Sequence, residues 1–247
     1  MGTETPEGLL PCAVQVGFAG SRRLYPTDCV APTEALDHEL AEQLTEHLQR
    51  LPTKLGLGPH QFLCGISQIA VGADFAFTRA CGALDIPQRI FLPQPADAYL
   101  AAIGSSGSAD FPPEERGVAL DLLAAAQVIE HRVVTTAPTR RQRFEEVNQA
   151  IAAESDVVVC LIRAGSTARP GGTMQMLELA RQRGIPVLTI DVAVQEGRLL
   201  LSTTEDGFAE FVPPRLPTPL DAMSAPELRR TEPLPRVRQF AETVKAH

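Results

Sequence analysis

The stretch "DVVVCLIRAGSTARPGGTMQMLELARQRGIPVLTID", residues 156–191, decides the fold class. Its opening run is apolar and β-branched without interruption, which is typical of a strand buried on both faces of a parallel sheet. Thr173 can cap a helix from Met174 to Arg183, and Gly184 suits the left-handed position just past the helix end. The run "IPVLTID" then predicts another strand. The stretch therefore predicts a β-α-β unit whose first loop contains a proline and two glycines.

The rest of the chain alternates short apolar runs with helical periodicity in the same way. Further strands are predicted at residues 13–18, 61–67 and 88–94, each followed by a predicted helix. In the first helix, leucines recur at every fourth position and so share one face: Leu36, Leu40, Leu44 and Leu48. We expect an α/β fold, a Rossmann-like three-layer sandwich. Its mostly parallel sheet would have five strands, or slightly more, in the order 3-2-1-4-5.

The region between the third and fourth predicted strands and the C-terminal region are less regular. We predict a helix at 114–129, a short extended run at 131–135 and a helix at 140–154. After residue 192 the sequence becomes proline-rich and cannot form one continuous helix. We therefore expect a nucleotide-binding domain at 1–192. The extension at 193–247 would pack on this domain or on a partner subunit.

Composition narrows the classes of partner. The chain has 247 residues and a net charge of −8, which argues against general binding to nucleic acid or anionic membranes. Its five cysteines show no paired spacing, and no apolar run approaches the length of about 20 residues that a membrane span needs. We expect reduced thiols in a cytoplasmic protein, with no membrane contact and with nucleic acid disfavoured as a partner.

Three glycine-bearing loops follow predicted strands: "GFAGSRR", "GISQIAVGAD" and "RAGSTARPGGT". The carboxyl ends of parallel strands lie at one edge of the sheet, where such folds bind ligands. Glycine permits close backbone approach to a phosphate, and helix N-termini attract anions. Arg22, Arg23, Arg163 and Arg169 would add positive charge. The alternative interpretation is that these glycines only turn the chain.

Several familiar sites are absent from the sequence. Gly17 and Gly20 do not have the spacing of a dinucleotide fingerprint, and no Walker motif, H-E-x-x-H, C-x-x-C or G-x-S-x-G occurs. The five histidines show no metal-ligand spacing. We therefore expect neither a metal nor a cofactor.

At the three loops, the sequence resembles the SLOG superfamily. This group joins cytokinin-activating phosphoribohydrolases of the LOG type, the DNA-processing protein DprA and nucleotide-sensing modules. The similarity covers about residues 12–192 and rests on "VGFAGSR", "GISQIAVGADFAFTRACGALDIPQRIFLP" and residues 154–191. It implies a Rossmann-like fold that binds a nucleotide-derived ligand. By motif position, the ligand-binding residues would be Gly17, Gly20, Ser21, Arg22, Ser67, Ala70, Gly72, Asp74, Arg143, Gly171, Gly172 and Thr173.

One departure from the family bears on activity. The phosphoribohydrolases carry P-G-G-x-G-T-x-x-E, whose glutamate assists cleavage of the N-glycosidic bond. In this sequence Met176 stands at the glutamate position, and Glu178 lies about 200° further around the helix. The resemblance is therefore closest to the nucleotide-sensing members. The alternative is a LOG-like nucleotide N-glycosidase that releases a base from a nucleoside monophosphate, with Glu178 as its catalytic candidate.

The resemblance also suggests how binding would be used. We expect a sensor or regulatory module that binds a nucleotide or nucleotide-derived small molecule. It would form a homodimer or higher homo-oligomer, or act on a separate effector protein. A third possibility, a binder of single-stranded DNA, is opposed by the acidic charge balance.

Overall fold

The computed structural model describes residues 12–22, 24–25, 33–102, 111–163 and 171–214. Seven strands occur in this part of the chain: β1 (Cys12–Gly20), β2 (Gln61–Ser67), β3 (Gln88–Leu92), β4 (Val128–Val133), β5 (Val157–Arg163), β6 (Val187–Gln195) and β7 (Arg198–Asp206). The helices described are α1 (Thr33–Lys54), α2 (Ala73–Ala83), α3 (Ala96–Leu100), α4 (Pro113–Leu123), α5 (Arg140–Glu154) and α6 (Thr173–Gln182).

The strands form one seven-stranded sheet in the order β4-β3-β2-β1-β5-β6-β7. β1 pairs in parallel with β5, β5 with β6, β2 with β3, and β3 with β4. The predicted order 3-2-1-4-5 is confirmed as the central part of this sheet. β4 extends it at one edge, and β7 pairs antiparallel with β6 at the other. The fold is Rossmann-like, with helices flanking a mostly parallel sheet.

Strand β5 shows why the sheet is covered on both faces. Its residues Val157, Val159 and Leu161 belong to the apolar cluster that contains the α1 leucines. Val158, Cys160 and Ile162 belong to the opposite cluster, with residues of α5 and α6. The predicted burial of this strand on both faces is therefore confirmed. The predicted α1 stripe is also confirmed, because all four of its leucines are buried.

Two predicted boundaries differ from the structure. The helix predicted at 114–129 ends at Leu123, and Val128 and Ile129 already belong to β4, in which Val128 pairs with Gln88. The sheet also continues beyond residue 192, since β7 lies within the predicted extension. Residues 13–213 form one compact unit. Most of the extension, residues 215–247, lies outside the described residues, so its packing stays a prediction.

Helix α6 begins differently from its prediction. Gly172 occupies the N-cap position and Thr173 is the first helical residue, so Thr173 does not cap the helix. Its side chain is buried instead. At the other end Gly184 has φ +64°, which confirms the predicted left-handed position. The amide N–H of Ile185 donates to the carbonyl oxygen of Ala180 at 2.9 Å and leads the chain into β6.

Two further observations concern the cysteines and the helices. Cys64, Cys81 and Cys160 are buried thiols, and burial raises the pKa of Cys64 to about 11. Cys29 lies outside the described residues. No helix in the described ranges has both the length and the apolar character that a bilayer crossing requires.

Candidate nucleotide-binding site

The loops after β1 and β2 meet at the carboxyl edge of the sheet. Gly72 has φ +93°, and a side chain there would place its Cβ 2.6 Å from the carbonyl oxygen of Arg22. The amide N–H of Ser21 donates to the carbonyl oxygen of Leu161 at 3.2 Å. The loop after β1 is therefore fixed to β5 on one side and contacts the glycine turn after β2 on the other.

Asn148 of α5 joins the loop after β2 to the glycine turn before α6. Its Nδ2 donates to the carbonyl oxygen of Gly172 at 3.1 Å and to Oε1 of Gln175 at 3.3 Å. Its Oδ1 accepts from Nε2 of Gln68 at 3.2 Å. Since Asn148 is 1% exposed, this buried amide holds three chain segments together. Gln175 in turn accepts from the amide N–H of Gly171 at 2.7 Å.

Phe144, one helical turn before Asn148, packs against the same turn. Gly171 has φ +72°, and a Cβ there would lie 2.4 Å from Cβ of Phe144. Only glycine therefore fits at position 171, for both its backbone conformation and its contact. On the Phe144 ring, the guanidinium carbon of Arg22 lies 5.6 Å from the centroid. The loop after β1 thus reaches the α6 turn across this ring.

Arg22 is the exposed cation at this junction. Its Nη2 donates to the hydroxyl oxygen of Tyr99 at 3.2 Å, and the Tyr99 ring is buried against Phe111 at 5.2 Å. Burial raises the pKa of Asp74, in the first turn of α2, to about 7, and the positive charge of Arg22 opposes that rise. Near neutral pH the Asp74 carboxyl therefore carries only part of a negative charge.

The N-terminus of α6 supplies the second element of the site. Gly172, at the N-cap, has no side chain that could accept a hydrogen bond from the first helical turn. The first N–H groups of a helix have no acceptor within the helix, and the helix dipole adds partial positive charge there. Gly172 and Thr173 thus begin α6 beside Phe144, with Arg22 across the ring, while the amide N–H of Gly171 already donates to Oε1 of Gln175.

Other predicted site residues have structural roles. A Cβ at Gly17 would lie 2.2 Å from Oγ of Ser155, so Gly17 permits packing near the end of α5, within β1 rather than at its carboxyl end. A Cβ at Gly20 would lie 2.1 Å from Cβ of Ala73, so Gly20 permits α2 to approach the sheet. Ala70 is buried in the loop before α2.

Ser67 and Arg143 also bond within the protein. Oγ of Ser67 donates to the carbonyl oxygen of Gln68 at 2.6 Å and accepts from Nε2 of Gln88 at 2.9 Å. Arg143 donates from Nη1 to Oε1 of Gln94 at 2.6 Å, and from Nε to the carbonyl oxygen of Ala137 at 2.9 Å. Arg143 therefore ties the loops after β3 and β4 to α5. Arg23 and Arg169 lie outside the described residues.

The α6 helix does not present a carboxylate at its buried face. Met176 is fully buried, whereas Glu178 is exposed and accepts from Nε2 of Gln182 at 2.8 Å. Glu178 therefore lies on the solvent side of α6, away from the side that packs on the sheet. In the described part of the chain, no group of three or more histidine, cysteine or acidic residues could hold a metal ion.

Sequence reasoning missed Asn148, Gln68, Gln175 and Phe144. The sequence contains one usable signal, because Phe144, Val147, Asn148 and Ile151 share one helical face. A polar amide among apolar neighbours on such a face must find hydrogen-bond partners when it is buried. Which partners it finds depends on contacts with residues that are distant in the sequence.

Two solved structures are similar to this chain. DNA processing protein A from Helicobacter pylori, described with a single-stranded DNA binding mode, has TM-score 0.40 and 20% identity over 80% of this chain and 70% of that chain. DNA processing protein A (DprA) from Streptococcus pneumoniae has TM-score 0.43 and 17% identity over 76% of this chain and 53% of that chain. No protein-family model and no curated protein matches the chain.

The class that the fold defines is a Rossmann-like α/β domain. Membership of the SLOG superfamily and the nucleotide-sensing subtype both stay predictions.

The prediction that nucleic acid is an unlikely partner is contradicted. It was derived from the net charge of −8, yet a similar protein is described as binding single-stranded DNA. The physical reason is that net charge is a property of the whole chain and does not describe the charge of any one surface.

Proposed function

We propose that the chain binds a nucleotide or a nucleotide-derived ligand, with a phosphate held between Arg22 and the Gly171–Thr173 turn. The observation that carries this proposal is the junction at Phe144. Its ring contacts the guanidinium of Arg22, while its Cβ lies where a side chain at Gly171 would have to be. A cation from one loop and a helix N-terminus from another thus flank one aromatic residue.

The turn is suited to phosphate in its chemistry and in its rigidity. The glycine turn allows close approach to the first amides of α6, and a guanidinium pairs bidentately with phosphate oxygens. Asn148 fixes the carbonyl oxygen of Gly172, so little conformational freedom remains to be lost on binding.

The first test is a thermal screen with AMP, ADP, GMP and ADP-ribose at millimolar concentration, with adenosine as the control without phosphate. A ligand present at 100 times its Kd stabilises the folded state by about 2.7 kcal/mol, which raises the melting temperature by several degrees. We expect at least one of the phosphorylated compounds to raise the melting temperature by several degrees, and adenosine to leave it unchanged.

Arg22→Ala tests the position of the site. We expect its Kd for the most stabilising nucleotide to rise at least thirtyfold, or about 2 kcal/mol, while the free energy of unfolding changes by less than about 1 kcal/mol, as for an exposed position. Arg141→Ala is the matched control, because Arg141 is exposed and pairs with Glu145 on the same helix. Unchanged binding by Arg22→Ala would refute the assignment.

A single-stranded oligodeoxynucleotide belongs in the same titration. Binding of the oligonucleotide without binding of any free nucleotide would replace the proposed ligand class. The salt dependence of that binding would then count the phosphates that are neutralised.

The regulatory role follows if the ligand prefers one assembly state of the chain over another. We expect the homodimer or higher homo-oligomer to change its population when nucleotide is added. Light scattering on a size-exclusion column, with and without nucleotide, measures this change directly. An identical mass distribution in both runs would leave the chain as a binding module without this form of regulation.

A further inference from the structure

The two edge strands of the sheet, β4 and β7, differ in length and in the position of their charges. β4 has six residues, is interrupted by a register shift against β3 and has the sequence Glu-His-Arg at residues 130–132. β7 has nine residues, and its charged residues lie only at its ends: Arg198, Glu205 and Asp206. Central charges, irregular pairing and shortness protect an edge from pairing with another chain. β4 therefore has this protection, whereas the centre of β7 lacks it.

The outer side of β7 is exposed. Within the described residues, no strand pairs with that side. Leu200 is 49% exposed, and residues 202–206 are exposed throughout. Thr203 and Thr204 are β-branched, and such residues favour strand pairing. An exposed edge of this length and composition is a template for one more strand.

The hairpin between β6 and β7 determines which backbone groups of β7 face outward. A two-residue turn, Glu196–Gly197, closes with Gln195 opposite Arg198, and from there hydrogen-bonded and non-hydrogen-bonded pairs alternate. The amide N–H of Leu199 donates to Oε2 of Glu39 at 3.4 Å, which agrees with an amide that faces away from β6. The residues whose N–H and C=O groups face outward are therefore Leu199, Leu201, Thr203 and Glu205.

β7 is complementary to a second copy of itself. In an antiparallel pair, the outward-facing residues of the two strands must lie opposite one another. Of the registers that satisfy this condition, only the one with its twofold axis at Ser202 pairs all nine residues. It places Arg198 opposite the partner's Asp206, and Leu200 opposite the partner's Thr204. A shift of the axis by one residue places Arg198 opposite the partner's Thr204, or Leu200 opposite the partner's Asp206.

The two charged residues of this register are accessible. Arg198 is exposed and makes no ion pair within the described residues. Asp206 pairs through Oδ2 with Nε of Arg181 at 3.2 Å, and both side chains are at least half exposed. A carboxylate has two acceptor oxygens and can therefore accept from a second guanidinium.

We propose that two copies of this chain form a homodimer through the outer edge of β7, with one sheet continuing through both copies. The partner is a second copy because opposite charges coincide with full-length pairing only when β7 meets itself. In this dimer, the Leu199 amide exchanges its bond to Glu39 for one to the backbone of the partner strand. The surface differs from the proposed nucleotide site, and its formation does not depend on nucleotide.

Sedimentation velocity over a series of protein concentrations, without nucleotide, measures the dissociation constant of the dimer. Thr203→Pro removes an outward-facing N–H and leaves the hydrogen bonds to β6 in place. We expect this change to raise the dimer dissociation constant at least about tenfold. The circular dichroism spectrum should stay that of the unmodified protein.

Arg198→Asp and Asp206→Arg test the register, in buffer of low ionic strength so that exposed charges are little screened. Each variant alone places like charges opposite each other, so each should raise the dimer dissociation constant about tenfold. An equimolar mixture of the two variants restores opposite charges at both ends of the interface. The mixture should therefore dimerise at least about fivefold more tightly than either variant alone. Arg141→Asp, at an exposed position on α5, is the control and should leave the dissociation constant unchanged.

Three results would overturn the inference: an unmodified protein that stays monomeric at every concentration, a dimer that Thr203→Pro leaves unchanged, or a mixture that dimerises no more tightly than its separate variants. If Thr203→Pro folds poorly, the charge variants decide, because both positions are exposed. The failure of the proposed function is distinct, because it is measured by nucleotide titration and these experiments contain no nucleotide.

Discussion

Helix α5 contacts two clusters of arginine and phenylalanine, one at each end, and the clusters differ in what lies beside them. At its C-terminal end, Arg89 and Arg132 lie on Phe91 and pair with Glu130 and Glu154. At its N-terminal end, Arg22 and Arg140 lie on Phe144, beside the Gly171 turn. The helix has 15 residues, so its ends are about 21 Å apart.

The comparison shows that two arginines on one phenylalanine ring do not by themselves define a binding site. The Phe91 cluster contains two carboxylates for its two guanidiniums, and the Arg89 side chain is only 13% exposed. At the Phe144 cluster, the positive charge of Arg22 acts on the buried Asp74 carboxyl, whose pKa burial raises to about 7. The Phe91 cluster is thus an ion-paired cluster within the fold, whereas the Phe144 cluster is the one to which the proposed function assigns ligand binding.

The largest expected effect comes from Gly171→Ala. The change forces a side chain into a conformation with φ +72° and places its Cβ 2.4 Å from Cβ of Phe144. We expect a loss of about 3 kcal/mol in the free energy of unfolding and loss of nucleotide binding. Urea denaturation and calorimetry measure the two quantities. Gly184→Ala is the control. Gly184 has φ +64° and no heavy atom within 4 Å of its Cβ position. We therefore expect Gly184→Ala to lower the free energy of unfolding by about 1 kcal/mol and to leave nucleotide binding intact.

Glu154→Ala should break the Phe91 cluster. It removes the carboxylate that accepts from Nη1 of Arg89 at 2.7 Å and from Nη2 of Arg132 at 2.6 Å. Because Arg89 and Glu154 are largely shielded from water, although Arg132 is 43% exposed, we expect a loss of about 2 kcal/mol in the free energy of unfolding, measured by urea denaturation. Nucleotide affinity should change by less than about twofold. A large loss of affinity would mean that the two ends of α5 are not independent.

Glu145→Ala is the control for this change. Glu145 pairs with Arg141, whose side chain is 73% exposed. Removing the Glu145 carboxylate should therefore lower the free energy of unfolding by less than about 0.5 kcal/mol.

Exchanging each ring for leucine sharpens the comparison. Phe144→Leu keeps apolar volume but removes the ring on which Arg22 and Arg140 lie, so we expect nucleotide Kd to rise three- to tenfold, about 1 kcal/mol. Phe91→Leu should lower the free energy of unfolding by about 1 kcal/mol and leave Kd unchanged. If Phe91→Leu raised the nucleotide Kd and Phe144→Leu left it unchanged, the ligand would not bind at the Phe144 cluster.

The smallest effect concerns pH and Asp74. Burial raises the pKa of Asp74 from 3.8 to about 7, so between about pH 4 and 7 the folded protein retains a proton that the unfolded chain releases. The stabilisation from that proton is complete below pH 4 and is lost as pH rises through 7. Asp74→Asn has no such proton. We therefore expect its stability relative to the unmodified protein to increase between pH 5 and pH 8.

Urea denaturation at a series of pH values measures this difference. Asp121→Asn, an exposed position on α4, should give a curve parallel to that of the unmodified protein. A parallel curve for Asp74→Asn as well would contradict the account of Asp74.

The sequence predicted those parts of the fold that leave a local apolar pattern. The run at 157–162 indicated a strand buried on both faces, and the order of the central strands was expected from the fold class. β7 was missed because only Leu199 among its residues is buried. Its turn, Glu196–Gly197, has positive φ at both positions, as a two-residue hairpin requires, but glutamate rarely adopts that conformation.

The site was less accessible to prediction. Gly72 and Gly171 were recognised as glycines of loops, and both have positive φ. Gly17 follows the same sequence pattern but packs against Ser155, which no local pattern indicates. Asn148 joins segments that are 24 and 80 residues away along the chain. Such contacts depend on the packing of α5, which the sequence predicted as a helix but not in its orientation.

Amide chemical-shift mapping on ¹⁵N-labelled protein tests the central claim most directly. The titrant is the nucleotide that gives the largest thermal shift. The account predicts that the largest changes fall on the amides of Ser21, Gly72, Gly172 and Thr173, while those of Arg89, Phe91 and Arg132 stay unchanged. Changes centred on the Phe91 cluster, or no change at the Gly171–Thr173 turn at saturating nucleotide, would contradict it.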